Sequence, residues 1–423
     1  MKKIVFIFIL VLISFYSVSA KDISYSLNKY DDEVFNYIEK AYDSKLKEDG
    51  YVLGGNVLKE KIEKDEEELD DYQVIIVKYD KNDNLVWKYT YGDTSMDYIS
   101  SLSYTYDEEG NIDGYLVSTK KSYNVLEEES SNSGVLIKID LDGKLVFEKE
   151  IVEGVISKIT PIYDENHIVN GYISIINNSI VKYNKNFDIE VKRDFSENIK
   201  DLSIIKEENK IIGYALIVGN NLITVDINGY NDIVLDDISK YKTTNLSESN
   251  NGFILYGITS EVKLNKGDSS YYLINYSNGE EVWETIGTTA TSKDSIVSLL
   301  PIYKDNEIKD YLLLYKNEID SSYEVIKINL DGEVLKKVKK INNNYYIFNS
   351  FYSKGNTIYF IGQIDCPEDD SCDYDNNSLY LVSDEDKVIE VKDDDSKNVI
   401  IVFSILFVVL VGAVIFIKKK TSK

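Results

Sequence analysis

The sequence predicts an all-β fold: a seven-bladed β-propeller ectodomain followed by a single C-terminal transmembrane helix. Three observations predict it. A unit of four strand-like runs recurs about every 50 residues, the chain closes on a long uncharged apolar run, and it opens on a shorter one.

The opening run, "MKKIVFIFILVLISFYSVSA", has two lysines, an apolar stretch too short for a comfortable span, and Val18 and Ala20 where a signal peptidase reads small residues. Residues 1–20 therefore read as a secretory signal. No cysteine follows that could carry a lipid anchor. The closing run, 399–417, is about 28 Å long as a helix, enough to cross a hydrocarbon core. An acidic linker at 393–398 precedes it and Lys418, Lys419 and Lys420 follow, which keeps the 418–423 tail cytoplasmic and places 21–392 outside a cell membrane.

The charge of the exported part excludes one class of partner. Six of the 47 basic residues lie in the two end segments, which carry no acid, so 41 basic residues face 73 acidic ones. Such a surface repels a phosphate backbone, and nucleic acid is a poor partner. Cys366 and Cys372 are the only cysteines and share one polar loop, "IDCPEDDSCDYDNN". Outside a membrane two such thiols pair, and the small ring they close stabilises by roughly 2 kcal/mol, enough to pin a loop. Asp369, Asp370, Asp373 and Asp375 beside them form a candidate Ca2+ site, the alternative being a solvated acidic loop. No other cofactor is called for.

The repeats carry the fold. "DYISSLSYTYDEEGNIDGYLVSTK" (97–120) lies beside "NYIEKAYDSKLKEDGYVLGGN" (36–56), "KDLSIIKEENKIIGYALIVGN" (200–220) and "DSIVSLLPIYKDNEIKDYLLLYKN" (294–317). Each is a strand, an acidic or Asn/Gly turn and a Tyr-rich strand. A second hairpin follows each, as in "VIIVKYDKNDNLVWKY" and "VLIKIDLDGKLVFEK". Seven units follow at 35–92, 97–151, 153–195, 196–238, 241–287, 294–341 and 344–392. Strands on both sides of short turns, radially repeated, make a propeller; a right-handed parallel β-helix is the competing reading, with shorter coils and no paired hairpins. The segment "ISYSLN" (23–28) is left over and is expected to pair with the last unit and join the two ends.

"DKNDN" at 80–84 has the look of a calcium loop, yet the same position reads "DLDGK", "NKNFD", "DINGY" and "NLDGE" in other units. Asp, Asn and Gly there supply hairpin backbone angles, and the Gly and terminal Glu of a calcium loop are missing. Asp80 is read as a turn residue.

The stretch 77–120 resembles bacterial β-propeller repeats of the SBBP type, in which "KYD-x-x-G-x-x-x-W" precedes "D-Y-x-x-x-I" and "D-x-x-G-N-x-Y-x-x-G". "INYSNGEEVWETIG" (274–287) is similar to a quinoprotein-type propeller repeat. Elsewhere the motif decays: Trp stands only at Trp87 and Trp283, with Phe147 and Leu335 in its place. The resemblance implies the fold and an exported setting and no activity.

Among catalytic classes, a sialidase-like site lacks its arginine cluster, since Arg193 is the only arginine. His167, the only histidine, lies in the turn "YDENHIVNGY" and reads as a solvated turn residue. Quinone binding lacks a marked polar ring, and Trp283 reads as a side chain locking neighbouring blades. The sequence thus points to a binding or scaffolding module with no catalytic residues, the alternative being a carbohydrate-active propeller with a carboxylate pair. Second-to-third strand links vary most, long at 58–71, 118–134, 259–270 and 366–372 and short near Asn177 and Asn220. They predict an acidic, uneven rim, open beside units three and four, that contacts a cationic or calcium-bridged partner, protein or glycan. The abundance of Ile, Asn, Lys and Tyr fits an AT-rich bacterial source.

Overall fold

A strand covered on both faces needs apolar side chains at consecutive positions, because successive side chains point to opposite sides. Val74, Ile75, Ile76 and Val77 form such a run, and all four are fully buried. Val74 and Ile76 pack with Tyr115, Val117 and Ile137, whereas Ile75 and Val77 pack with Phe35, Ile38, Tyr51 and Leu53. The same division recurs along the chain. Leu116 and Leu136 face Ile159, Tyr172 and Val181 while their neighbours Val117 and Ile137 face back. Leu216 and Ile217, then Leu255 and Ile254, divide between successive clusters in the same way. The core is therefore a series of layers, each between two sheets.

The computed structural model describes residues 22–24 and, with interruptions, 33–383. Six four-stranded antiparallel sheets use four consecutive strands each, at 33–91, 95–151, 156–194, 199–237, 241–288 and 295–342. A further sheet joins Tyr345–Ser353, Thr357–Ile364 and Asn377–Ser383 to the strand Asp22–Ser24, which holds the outer edge with Ile23 opposite Leu379. This is the pairing expected of Ile23, although the fourth strand of that sheet comes from the N-terminal side. Residues 25–28 and 388–392, also expected as strands, lie outside the described residues. Successive sheets meet through their first and second strands, and Glu33–Tyr42 touches both Ser95–Tyr106 and Tyr345–Ser353, so the sheets surround an axis. Among the described residues no helix is long and apolar enough to cross a membrane; 1–20 and 399–417 are outside them.

The turns repeat one design. Asp80 Oδ1 accepts the backbone N–H groups of Asn82 (2.8 Å) and Asn84 (2.9 Å) while its own N–H donates to Asn84 O. Asp43, Asp107, Asp140, Asn184, Asp226 and Asn329 do the same two and four residues on. In six of these loops the fourth residue takes a left-handed conformation: Gly110, Gly143, Gly229 and Gly332 at φ 80–85°, and Leu46 and Phe187 at 59°. That is a type I turn closed by a bulge residue, a geometry glycine adopts without strain. Asp80 is a turn residue, as expected, and its carboxylate is held below the usual range by hydrogen bonds from Asn84 and Asn82.

Outer strands lean on the next sheet's last turn. Trp87 Nε1 donates to Leu141 O (3.0 Å), and a Cβ on Gly143 would lie 2.6 Å from the Trp87 ring. Trp283 Nε1 donates to Leu330 O (2.8 Å) over Gly332. Phe147 takes the equivalent place against Phe187, ring centroids 5.1 Å apart, and Arg193 donates to Gly229 O and, at 2.9 Å, to Asp232. Glycine is required at 143 because the indole occupies the space a side chain would need. Phe187 accepts its left-handed strain because its buried ring stacks on Tyr172 at 4.6 Å.

Two substitutions test this latch. Trp87→Phe keeps an aromatic ring, loses the hydrogen bond and should cost about 1 kcal/mol in urea unfolding. Gly143→Ala meets both the indole and an unfavourable φ, and should cost more than Trp87→Phe. A Gly143→Ala midpoint equal to wild type would show that the indole does not rest on this turn.

Candidate functional site

In five of the sheets a β-bulge lies near the end of the first strand. Bulges fall immediately before Tyr42, Tyr106, Tyr163, Lys206 and Tyr303. A bulge re-aims the side chain that follows it, and it places one such residue per sheet around a single mouth of the ring. Glu248 holds the same position in the fifth sheet, and Tyr352 does so by register, opposite Ile358.

These residues touch in sequence around the axis. Tyr42 meets Tyr104 edge-on at 5.8 Å, and Tyr106 hydroxyl lies 3.1 Å from Tyr163 hydroxyl. Lys206 Nζ sits 5.9 Å over the Tyr163 ring and pairs with Glu248 at 2.8 Å, and Tyr303 hydroxyl donates to Glu248. The result is a belt of phenols closed by one ion pair. Behind it lies a cavity of about 390 Å³ lined only by first strands of five sheets, with Ser103, Thr160, Ser203, Ser247 and Lys158 among its walls. Lys158 pairs with Asp201 at 2.7 Å, and Asp201 also accepts the N–H groups of Leu202 and Leu246.

Glu39 lies on the first strand of the first sheet beside Lys40, whose carbonyl accepts the Tyr104 hydroxyl at 3.2 Å. Glu39 has protein around it, so burial raises its carboxyl to about 7, against smaller opposing effects of Tyr104 and of the Lys40 charge. Burial, with Glu48 and Glu39 adding to it, pushes Tyr42 up to about 12. Burial also holds Tyr104 and Tyr106 in the neutral form.

The opposite face carries the second-to-third links. Those of the first two sheets, expected as loops, are β-hairpins: Glu48–Lys64 and Glu67–Tyr79 stay paired until Lys64 faces Glu67, and Ile112–Asn124 and Glu129–Asp140 until Asn124 faces Glu129. Third and fourth sheets turn within two residues, at 177–178 and 219–220. A cavity of about 690 Å³ opens there beside Asn177, Asn178, Lys149, Lys192 and Asp194. Cys366, Cys372, Asp369, Asp370, Asp373 and Asp375, His167 and most of the 259–270 link lie outside the described residues. Among the described residues no group of three His, Cys, Asp or Glu could hold a metal ion.

No family model and no curated protein matches the chain. Among solved structures, it is similar to a chain of "BBS1N in complex with ARL6DN, soaked with lead" at 10% identity, covering 88% of this chain and 99% of that one, with a TM-score of 0.51. The fold is a β-propeller. Further propeller-like matches are a chain of the mitotic checkpoint complex (9% identity, 87% and 98% covered, TM-score 0.48) and the β-propeller domain of Myceliophteria thermophila Cps50 (Swd1) (12%, 64% and 81%, TM-score 0.43).

The belt escaped the sequence reading although a signal was present. "AYD", "TYD" and "IYD" close first strands at Tyr42, Tyr106 and Tyr163, and "IYK" does so at Tyr303. The turn aspartate was read; the tyrosine before it was absorbed into the strand.

Glu39 sets a pH prediction. Its folded carboxyl titrates near 7 and its unfolded one near 4.5. Between these values only the folded state holds the proton, so this residue lowers stability as pH rises from 4.5 to 7 and keeps it lowered above. Glu39→Gln should leave the melting temperature unchanged at pH 4.5 and raise it by roughly 1–2 °C at pH 8. A variant equally destabilised at both pH values would contradict it.

Proposed function

We propose that this chain is a surface-anchored binding module. In this reading its sheets are the blades of a seven-bladed propeller of the SBBP type, exported by 1–20, held by a helix at 399–417 with 418–423 in the cytoplasm, and used for recognition outside the cell without catalysis. The observation that carries it is the uneven face: two neighbouring sheets raise long hairpins beside two that turn within two residues. A rigid disc with hairpins standing on one side offers a partner a ledge and a hollow, and loops or hairpins on a fixed scaffold are where recognition concentrates. The 58–71 hairpin carries Glu60, Glu63, Asp65, Glu66, Glu67, Glu68, Asp70 and Asp71 against Lys59, Lys61 and Lys64, which favours a cationic protein or a partner bridged by Ca2+. The glycan-cleaving alternative needs a working carboxylate pair. Among the described residues Asp201 and Glu248 are committed to lysines.

Two measurements test the reading. Protease added to intact cells should release a fragment covering nearly the whole chain; protection of the bulk would reverse the orientation. Replacing 59–71 and 120–134 each by Asn-Gly, so that Leu58 still faces Tyr72, should leave the melting temperature within about 2 °C and weaken binding to a polylysine surface at physiological salt about tenfold. Unchanged polylysine binding would move the recognition face elsewhere.

A further inference from the structure

The walls of the axial cavity contain no hairpin residue, and four of them repeat one dipeptide. Leu102-Ser103, Ile159-Thr160, Leu202-Ser203 and Leu246-Ser247 stand on the first strands of four consecutive sheets. The apolar member of each pair is buried, and every hydroxyl member lines the cavity. Among the described residues no hydrogen bond occupies any of these four hydroxyls. All four are left for a guest.

The charges at the walls, by contrast, are spent. Lys158 pairs with Asp201 at 2.7 Å, and Asp201 also accepts the Leu202 N–H at Oδ1 and the Leu246 N–H at Oδ2. Glu248 gives Oε2 to Lys206 at 2.8 Å and Oε1 to the Tyr303 hydroxyl. An ion entering the cavity would have to break one of these pairs or stay unanswered, which is costly away from bulk water. A neutral guest meets no such penalty.

We infer that this cavity binds a neutral pyranose ring, held by the four wall hydroxyls and by the tyrosine faces of the belt. A hydroxyl donates one hydrogen bond and accepts two, so side-chain and sugar hydroxyls pair in either sense. Aromatic faces are electron-rich and attract the slightly positive C–H groups of a sugar ring, and Tyr104, Tyr106 and Tyr163 supply such rings. Pro161, Ile204 and Pro301 add apolar wall. The volume, about 390 Å³, lies near the lower end of the range for small-ligand sites, which suits one ring rather than a long glycan. That ring can arrive as a free sugar or as the end of a glycan chain.

The test uses the full chain in a sugar-free detergent at pH 7, titrated calorimetrically with three neutral probes: methyl β-D-glucopyranoside, methyl β-D-galactopyranoside and methyl N-acetyl-β-D-glucosaminide. The anionic methyl β-D-glucuronide, the cationic methyl 6-amino-6-deoxy-β-D-glucopyranoside and cyclohexylmethanol are the controls. At least one neutral glycoside should bind, with each control at least about tenfold weaker. Thr160→Val combined with Ser203→Ala removes two hydroxyls at nearly constant shape and should weaken the bound glycoside about tenfold. Ser247→Leu copies the Leu299-Leu300 pair that the sixth sheet already carries, fills the cavity and should abolish binding. Both variants are checked for a wild-type unfolding midpoint, and if one fails to fold the other decides. A tetrasaccharide ending in the bound sugar that binds equally well assigns a chain end, and its exclusion assigns a free sugar; either supports the site. Absence of binding by all three glycosides, a control that binds as tightly as they do, or an unchanged affinity in a folded variant would each overturn the inference. The hairpin-trimmed chain should keep sugar binding, so a failed recognition face and a failed channel site give different results.

Discussion

The first six sheets of this protein bury apolar side chains on both faces, and that single constraint organises the rest. Val74 and Ile76 cannot be buried without the second sheet, nor Ile75 and Val77 without cover on the other side. A sheet with two apolar faces has no stable edge of the stack, so the stack curves round until the first sheet meets the last. Around the outside, Trp87, Phe147, Arg193 and Trp283 rest on the following turns. On the inside the first strands are left with no further sheet to cover, and polar belt residues become affordable there.

Function follows from where that packing stops. Third-to-fourth turns at Leu141, Phe187, Gly229 and Leu330 seat a neighbour's latch, and Gly143 and Gly332 leave no room for variation. On the other face the links differ from two residues to full hairpins. The axis is the third place where packing ends, and there Glu39 is kept in a costly setting by the rings around it. Rim and channel thus arise from one architecture.

The strand units were legible because double-sided burial writes itself as unbroken runs such as "VIIV" and "YLLLY", and the turns because Asp, Asn and Gly recur at fixed offsets. Asp80 was separable from a metal ligand only by comparison with its counterparts at Asp140, Asn184, Asp226 and Asn329. The hairpin extensions were not legible: the run of charged residues at 59–71 read as a loop because it lacks the apolar/polar alternation that marks a strand. The belt was hidden for another reason. Its residues come from positions some 60 residues apart, and the bulge that turns each toward the axis is a backbone feature with no side-chain signature. Pairing of Asp22–Ser24 with the last sheet followed from a count of units, while its place as that sheet's fourth strand did not.

The account rests on sheets that are stable only together, and unfolding followed at the two tryptophans tests this most directly. Trp87 and Trp283 belong to latches of the first and fifth sheets. In Trp283→Phe and Trp87→Phe chains, each with one reporter left, urea unfolding should give fluorescence midpoints that coincide with each other and with loss of strand circular dichroism, after correction for the stability each substitution removes. Separate transitions, with one reporter released while most strand signal persists, would show that groups of sheets stand alone and would contradict it.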